Sequence, residues 1–416
     1  MTPFSYQFYE MAHLALAPAR AMSDATKLLF KNPMNPMTHT VWGRNMAASA
    51  ELFERLTRRY GKPAFDLPQT QIDGKIIDIH EEIVWEKPFG RVIRFARQAN
   101  RPNSRLLIVA PLSGHYATLL RGTVQAFLPH FDVYITDWTD ARMVPLAAGI
   151  FDLDTYIDYL IEIIQFLGED APGAGLHTLG VCQPSVPLIA ATALMEARGE
   201  RAAPASMTLM GGPIDTRRSP TAVNQLAQER GTQWFRRNCI HVVPFPYPGV
   251  GREVYPGFLQ LSGFMAMNLD RHVNAHVDMF NHLVQGDDDS AEKKREFYDE
   301  YMAVMDLDAA YYMQTIETVF VRHLLPKGEM MHRETPVDLT AIRNCGLMTV
   351  EGERDDISGV GQTQAAQDLC VNIPADRKLH HLQMEVGHYG VFNGSRFRKD
   401  IAPRIVSFIH KIDAKA

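Results

Sequence analysis

The residues best placed to do chemistry lie in the run His177-Thr178-Leu179-Gly180-Val181-Cys182-Gln183-Pro184-Ser185. A short apolar stretch passes through a glycine into a cysteine and straight into a helix start. This is the strand–turn–helix setting of the G-x-S-x-G nucleophile turn, with Cys in the Ser position and Pro in place of the last Gly. Such a turn lifts one side chain above the carboxyl end of a parallel sheet, and the helix that follows favours negative charge at that point. Pro184 is compatible with the geometry, because the first helical turn has no use for its missing N–H and proline brings a helical φ. A thiol so placed attacks acyl carbonyls. A buried structural thiol would share these neighbours, so partners decide between the two readings.

A triad on this architecture supplies nucleophile, acid and base in that order, the acid after a late strand and the base after the last one. Cys345-Gly346-Leu347-Met348-Thr349-Val350 reads as a buried strand opening into Glu351-Gly352-Glu353-Arg354-Asp355-Asp356-Ile357-Ser358, which holds a candidate acid, Asp355. Asp356 competes for that role, and either carboxylate could instead cap a helix. Leu379-His380-His381-Leu382-Gln383-Met384 reads as the last strand, and Glu385-Val386-Gly387-His388-Tyr389-Gly390 follows as a loop presenting His388 as base. His380 and His381 are rival imidazoles, but both fall inside the strand pattern. Attack on an ester carbonyl builds negative charge on oxygen, usually met by the backbone N–H after the nucleophile and one from the loop after an earlier strand. Those positions nominate Gln183 and Ser113, the latter in Pro111-Leu112-Ser113-Gly114-His115-Tyr116, where a plain tight turn is the alternative.

Together, Leu179–Pro184, the Gly352-Glu353-Arg354-Asp355-Asp356 loop and Gly387-His388-Tyr389-Gly390-Val391-Phe392-Asn393-Gly394 resemble the intracellular poly(3-hydroxybutyrate) depolymerases of bacteria. The likeness extends to Phe4-Ser5-Tyr6-Gln7-Phe8-Tyr9-Glu10 and so spans essentially the whole chain. It implies an α/β-hydrolase with a Cys-Asp-His triad, placing Cys182 as nucleophile, Asp355 as acid and His388 as base. It also implies a polyester granule and its oligomers as partners, with cleavage through a Cys thioester and release of 3-hydroxybutyrate and short oligomers. A thioester is open to a second thiol too, so coenzyme A is an alternative acyl acceptor. Two other readings stand beside it: a polyhydroxyalkanoate synthase-like acyltransferase, which shares the Cys nucleophile, and a granule-binding protein without activity.

The elements that must position these residues follow from periodicity. Residues 1–70 read as a helical lead-in, with Ala50, Phe53 and Leu56 on one helical face. The core spans 71–214 and 339–416: strands at Ile76–Val84, Arg91–Arg97, Leu106–Ala110, Val133–Thr136 and Met207–Met210, with an amphipathic helix at Asp154–Leu167. Strands alternating with helices predict a mostly parallel sheet covered on both faces. From 215 to 338 the alternation stops, and a long aromatic-rich stretch with Phe297, Tyr298, Tyr301, Tyr311, Tyr312 and Phe320 reads as a largely helical cap inserted over the site.

Composition sets further bounds. A net charge of −6 and no basic run argue against a nucleic-acid partner. No apolar run reaches membrane-spanning length and no signal-peptide pattern opens the chain, so the expected location is the cytoplasm, on polyester granules if the resemblance holds. The four cysteines lack metal-like spacing and are expected as thiols. His272 and His276 share an i, i+4 helix spacing but have no HExxH context or third ligand, and Gly359-Val360-Gly361 lacks the surroundings of a dinucleotide loop. No cofactor is expected.

Overall fold

The computed structural model describes residues 4–98, 104–169, 175–267, 269–285 and 287–415. Three helices lead: α1 (Phe4–Ala15), α2 (Ala17–Lys31) and α3 (Val41–Thr57). The buried face of α3 differs from the expected one. Ala47, Ala50, Glu51 and Arg55 are inward, whereas Phe53 and Leu56 stay exposed. The reason is electrostatic: Arg55 pairs with Asp299 (2.6 Å) and Glu51 with Arg295 (2.6 Å), so small residues and ion pairs hold this face against a later helix.

Nine strands form one sheet: β1 (Gln69–Ile72), β2 (Lys75–Lys87), β3 (Gly90–Arg97), β4 (Arg105–Val109), β5 (Asp132–Trp138), β6 (Leu176–Val181), β7 (Ser206–Met210), β8 (Gly346–Gly352) and β9 (Lys378–Gln383). Their spatial order is β1-β2-β3-β5-β4-β6-β7-β8-β9. The first three pair antiparallel and β3 also runs antiparallel to β5; every later pair is parallel. The central strands β4, β6, β7 and β8 are buried almost throughout because both faces are covered, their polar members such as Thr178, Thr208 and Thr349 included. Flanking helices include α4 (Arg121–Phe127), α5 (Leu153–Glu169) and α6 (Ser185–Ala197). Ile157, Ile161, Ile164 and Leu167 of α5 are all buried, as the spacing predicts. This order, with its crossovers and flanking helices, is an α/β-hydrolase fold.

Between β7 and β8 the chain builds α7 (Ala222–Cys239, broken at Gly231), α8 (Gly257–Met267), α9 (Leu269–Gln285), α10 (Asp288–Tyr301) and α11 (Ala309–Thr315), the last continuing as a wider turn over Ile316–Val321. His272 Nδ1 meets the Tyr298 hydroxyl (3.1 Å), while His276 donates to the His272 carbonyl (2.8 Å). Among the described residues no three metal-type side chains gather, and no helix is long and apolar enough to cross a membrane.

A buried polar cluster ties α1 to this segment. The Tyr6 hydroxyl donates to Asp306 (2.6 Å), the Asp306 N–H donates to Asp140 (3.2 Å), and Arg142 Nε donates to Asp140 (2.8 Å). Burial, then repulsion from Asp306, pushes the Asp140 carboxyl up to about 7, and burial raises Asp306 as well. The unfolded chain releases these protons at roughly pH 4. Between there and about pH 7 the folded chain therefore holds protons that the unfolded chain has lost, and stability falls as pH rises through that window. Asp140→Asn should flatten the slope. Urea melts across that pH range check it, and an unaltered slope rejects the assignment.

Candidate active site

Register brings the site together. Val109 lies beside Gly180, Val181 beside Met210, Met210 beside Val350 and Gly352 beside Gln383, so the carboxyl ends of five parallel strands finish side by side. The loops leaving them carry Ser113, Cys182, Gly211, Asp355 and His388.

Cys182 sits at φ 68°, the left-handed conformation that a sharp strand-to-helix turn imposes, and its N–H donates to the Met210 carbonyl (2.7 Å). Two glycines make room for the turn. A Cβ on Gly180 would stand 3.0 Å from Leu188, and one on Gly212 would fall 2.0 Å from the Ser185 hydroxyl. Pro184 stands at the start of α6 with helical φ, as its position predicts.

Asp355 and His388 meet across the end of β8. His388 Nδ1–H donates to Asp355 Oδ2 at 2.8 Å, with both side chains buried. The other carboxylate oxygen accepts the N–H groups of Ile357 (2.9 Å) and Ser358 (2.8 Å), which fixes the orientation of the carboxylate. With Nδ1 engaged, Nε2 is the ring nitrogen left free to face the cavity that Cys182 also lines. Burial alone would lower the His388 pKa. The charges of Asp355 and Cys182, each reinforced by a hydrogen bond, outweigh it and hold the ring well above the usual histidine value.

The three residues singled out in the sequence are thus brought together, and the rivals are not. Asp356 is exposed; His380 bonds to Thr349 (2.9 Å) and His381 to Gln383 (2.9 Å) along β9. Gln183 and Ser113 both line the cavity at Cys182. That cavity holds about 440 Å³ and is mainly apolar, walled by Phe235, Phe264, Tyr312, Ile316 and Phe320 from the segment between β7 and β8. Such a size lies within the usual range for small-molecule sites.

Residues missed in the sequence include Gly211, His115 and Gln260. Gly211 has φ +56°, and a Cβ there would lie 3.2 Å from His388 Cε1 and 3.4 Å from Asp355 Oδ2. The signal was the Gly-Gly pair ending β7. Gly211→Ala should cost about 1–2 kcal/mol in folding from backbone strain and lower turnover further by crowding the imidazole. A denaturation curve paired with esterase kinetics reads both effects, and full activity would show that the ring has slack.

The sequence model of the family described as PHB de-polymerase C-terminus matches residues 211–413. No curated protein sequence matches the chain significantly. Solved structures similar to it include a soluble variant of monoglyceride lipase from Saccharomyces cerevisiae with a substrate analog (10% identity, TM-score 0.47, covering 82% of this chain and 97% of that one). A thermophilic esterase from Thermogutta terrifontis has 13% identity and a TM-score of 0.40, covering 83% of this chain and 97% of its own. The thioesterase domain from the curacin biosynthetic pathway also has 13% identity and a TM-score of 0.40, covering 80% and 99%. The sheet order above is that of an α/β-hydrolase, and over residues 211–413 the chain is similar to the PHB depolymerase family.

Proposed function

We propose that the protein hydrolyses poly(3-hydroxybutyrate) esters through a Cys182 thioester. The observation that carries the reading is a buried imidazole that Asp355 holds in place, lining the same apolar cavity as Cys182. His388 takes or already holds the thiol proton, and Cys182 Sγ attacks the ester carbonyl carbon. The resulting oxyanion is met by the backbone N–H groups of Gln183 and Ser113. As the tetrahedral adduct collapses, the C–O bond breaks and His388 gives its proton to the departing alkoxide. Water, deprotonated by the same imidazole, then attacks the thioester, releasing the hydroxyacid and restoring the thiol. A thiol such as coenzyme A attacking in place of water would leave a hydroxyacyl thioester.

The segment between β7 and β8 acts as a cap, and its aromatic wall makes the site reachable only by a mobile chain. Amorphous polyester granules, the proposed intracellular substrate, supply such chains; a crystalline lattice must first surrender each one. Acid release from native amorphous granules should exceed that from crystalline polymer of equal surface area by at least about tenfold, taking some 1.4 kcal/mol of extra extraction cost as the threshold. Equal rates on the two materials would count against a capped site, and no acid from either would remove the depolymerase reading.

A further inference from the structure

The cavity has a polar corner that the proposed triad does not use. It lies at the turn after β4, where Gly114 takes φ +102° and His115 follows. His115 is almost fully buried, lines the cavity, and its Nε2–H donates to the Tyr301 carbonyl (3.1 Å). A neutral imidazole has one donor and one acceptor nitrogen, so Nδ1 carries the lone pair, and it has no hydrogen-bond partner among the described residues. The ring is neutral at physiological pH, since burial pushes its pKa down to about 4.

Gln260 of α8 lines the same cavity. Its Nε2 donates to the carbonyls of Tyr255 (3.0 Å) and Met305 (3.4 Å), which turns Oε1 toward Gly114; a Cβ on Gly114 would lie 2.5 Å from that oxygen. The two side chains thus hold their donors against backbone carbonyls and offer acceptors beside one turn. A neutral acceptor in a cavity corner suits a hydroxyl donor. It does not suit a carboxylate, and among the described residues that line the cavity none is Lys, Arg, Asp or Glu. Taking a free carboxylate into this space would strip its water, and the one ring there that holds a proton, His388, is already engaged by Asp355.

A poly(3-hydroxybutyrate) chain ends in a hydroxyl on one side and a carboxylate on the other. We infer that the chain enters by its hydroxyl end, with His115 Nδ1 accepting the terminal O–H beside Gln260 Oε1. This rests on the polyester-hydrolase reading above and adds a direction to it. The acyl group transferred to Cys182 is then the hydroxyl-terminal piece. The bond broken is the ester C–O that joins it to the rest of the polymer, and the rest leaves as an alcohol once His388 supplies a proton. That departing chain carries a fresh terminal hydroxyl, which is the end the site recognises, so each cleavage creates the next substrate. The enzyme trims from one end.

The test uses soluble 3-hydroxybutyrate oligomers of one length in three forms: free, O-methylated at the hydroxyl end, and methyl-esterified at the carboxyl end. Wild-type kcat/KM should fall by about 10–100-fold on O-methylation, the effect of leaving buried acceptors unpaired, and change by no more than about twofold on esterification. His115→Phe should bring the free and O-methylated substrates to within about twofold of each other, because the acceptor is gone. Wild-type enzyme that cleaves free and O-methylated oligomers equally well, or a preference that survives His115→Phe, overturns the inference and leaves the hydrolase reading intact. Failure to cleave any oligomer or granule overturns that reading itself. The wild-type comparison decides the matter even if the variant misfolds.

Discussion

Cys182→Ala should lower ester hydrolysis by a factor on the order of a million, which is what loss of a covalent nucleophile costs when base and oxyanion donors remain. Folding should be nearly unaffected. Alanine inherits the same φ of 68° that cysteine already tolerates, and the sulfur is only partly buried, so little packing is lost. Burial raises the thiol pKa of Cys239, raises that of Cys370 to about 12, and places that of Cys345 well above the usual range, so these three are slow to react at neutral pH. A small thiol reagent should therefore label wild type once, and labelling and activity should vanish together in Cys182→Ala. Activity within tenfold of wild type would move the nucleophile elsewhere.

Asp355→Asn should slow turnover by roughly a thousand- to ten-thousand-fold, in line with triad aspartates generally. The carboxylate fixes the tautomer through its 2.8 Å bond to Nδ1, and its charge opposes the burial that otherwise drives the ring neutral. Removing that charge should lower the His388 pKa, so the pH profile of the variant should shift to lower pH along with the loss in rate. Asp356→Asn should change activity by less than about threefold, because its carboxylate is exposed and outside the His388 bond. Steady-state kinetics of the two variants across pH decides between them, and a reversed ranking would assign the acid to Asp356.

What the sequence revealed of this site depended on locality. Cys182, Asp355 and His388 each come within a few residues of the end of a strand pattern, so one-dimensional patterns could find them and order them. The α5 face was equally legible, because its apolar residues recur at helical spacing against a sheet. His115 was not, since its meaning comes from the Tyr301 carbonyl, 186 residues away, and from a cavity wall built by α8. Gly211 looked like ordinary punctuation until His388 was seen packed against it. The α3 face misled for a related reason: charge pairing with Arg295 and Asp299 decided its orientation, and hydrophobic spacing does not report ion pairs.

The strand order has a consequence for biosynthesis. β8 and β9 lie at one margin of the sheet, beyond β7, so they add to an edge and need not insert into its middle. As the ribosome delivers the chain, β1 to β7 can pair and the Cys182 turn can form while Asp355 and His388 are still unmade. The helix Ala402–Asp413 is made after His388 and is latched by Asp413, which accepts from His177 at the opposite end of β6 (2.9 Å). A nascent molecule thus holds Cys182 without its proposed partners until His388 has been translated, which keeps the proposed thiol chemistry from operating on a half-built fold.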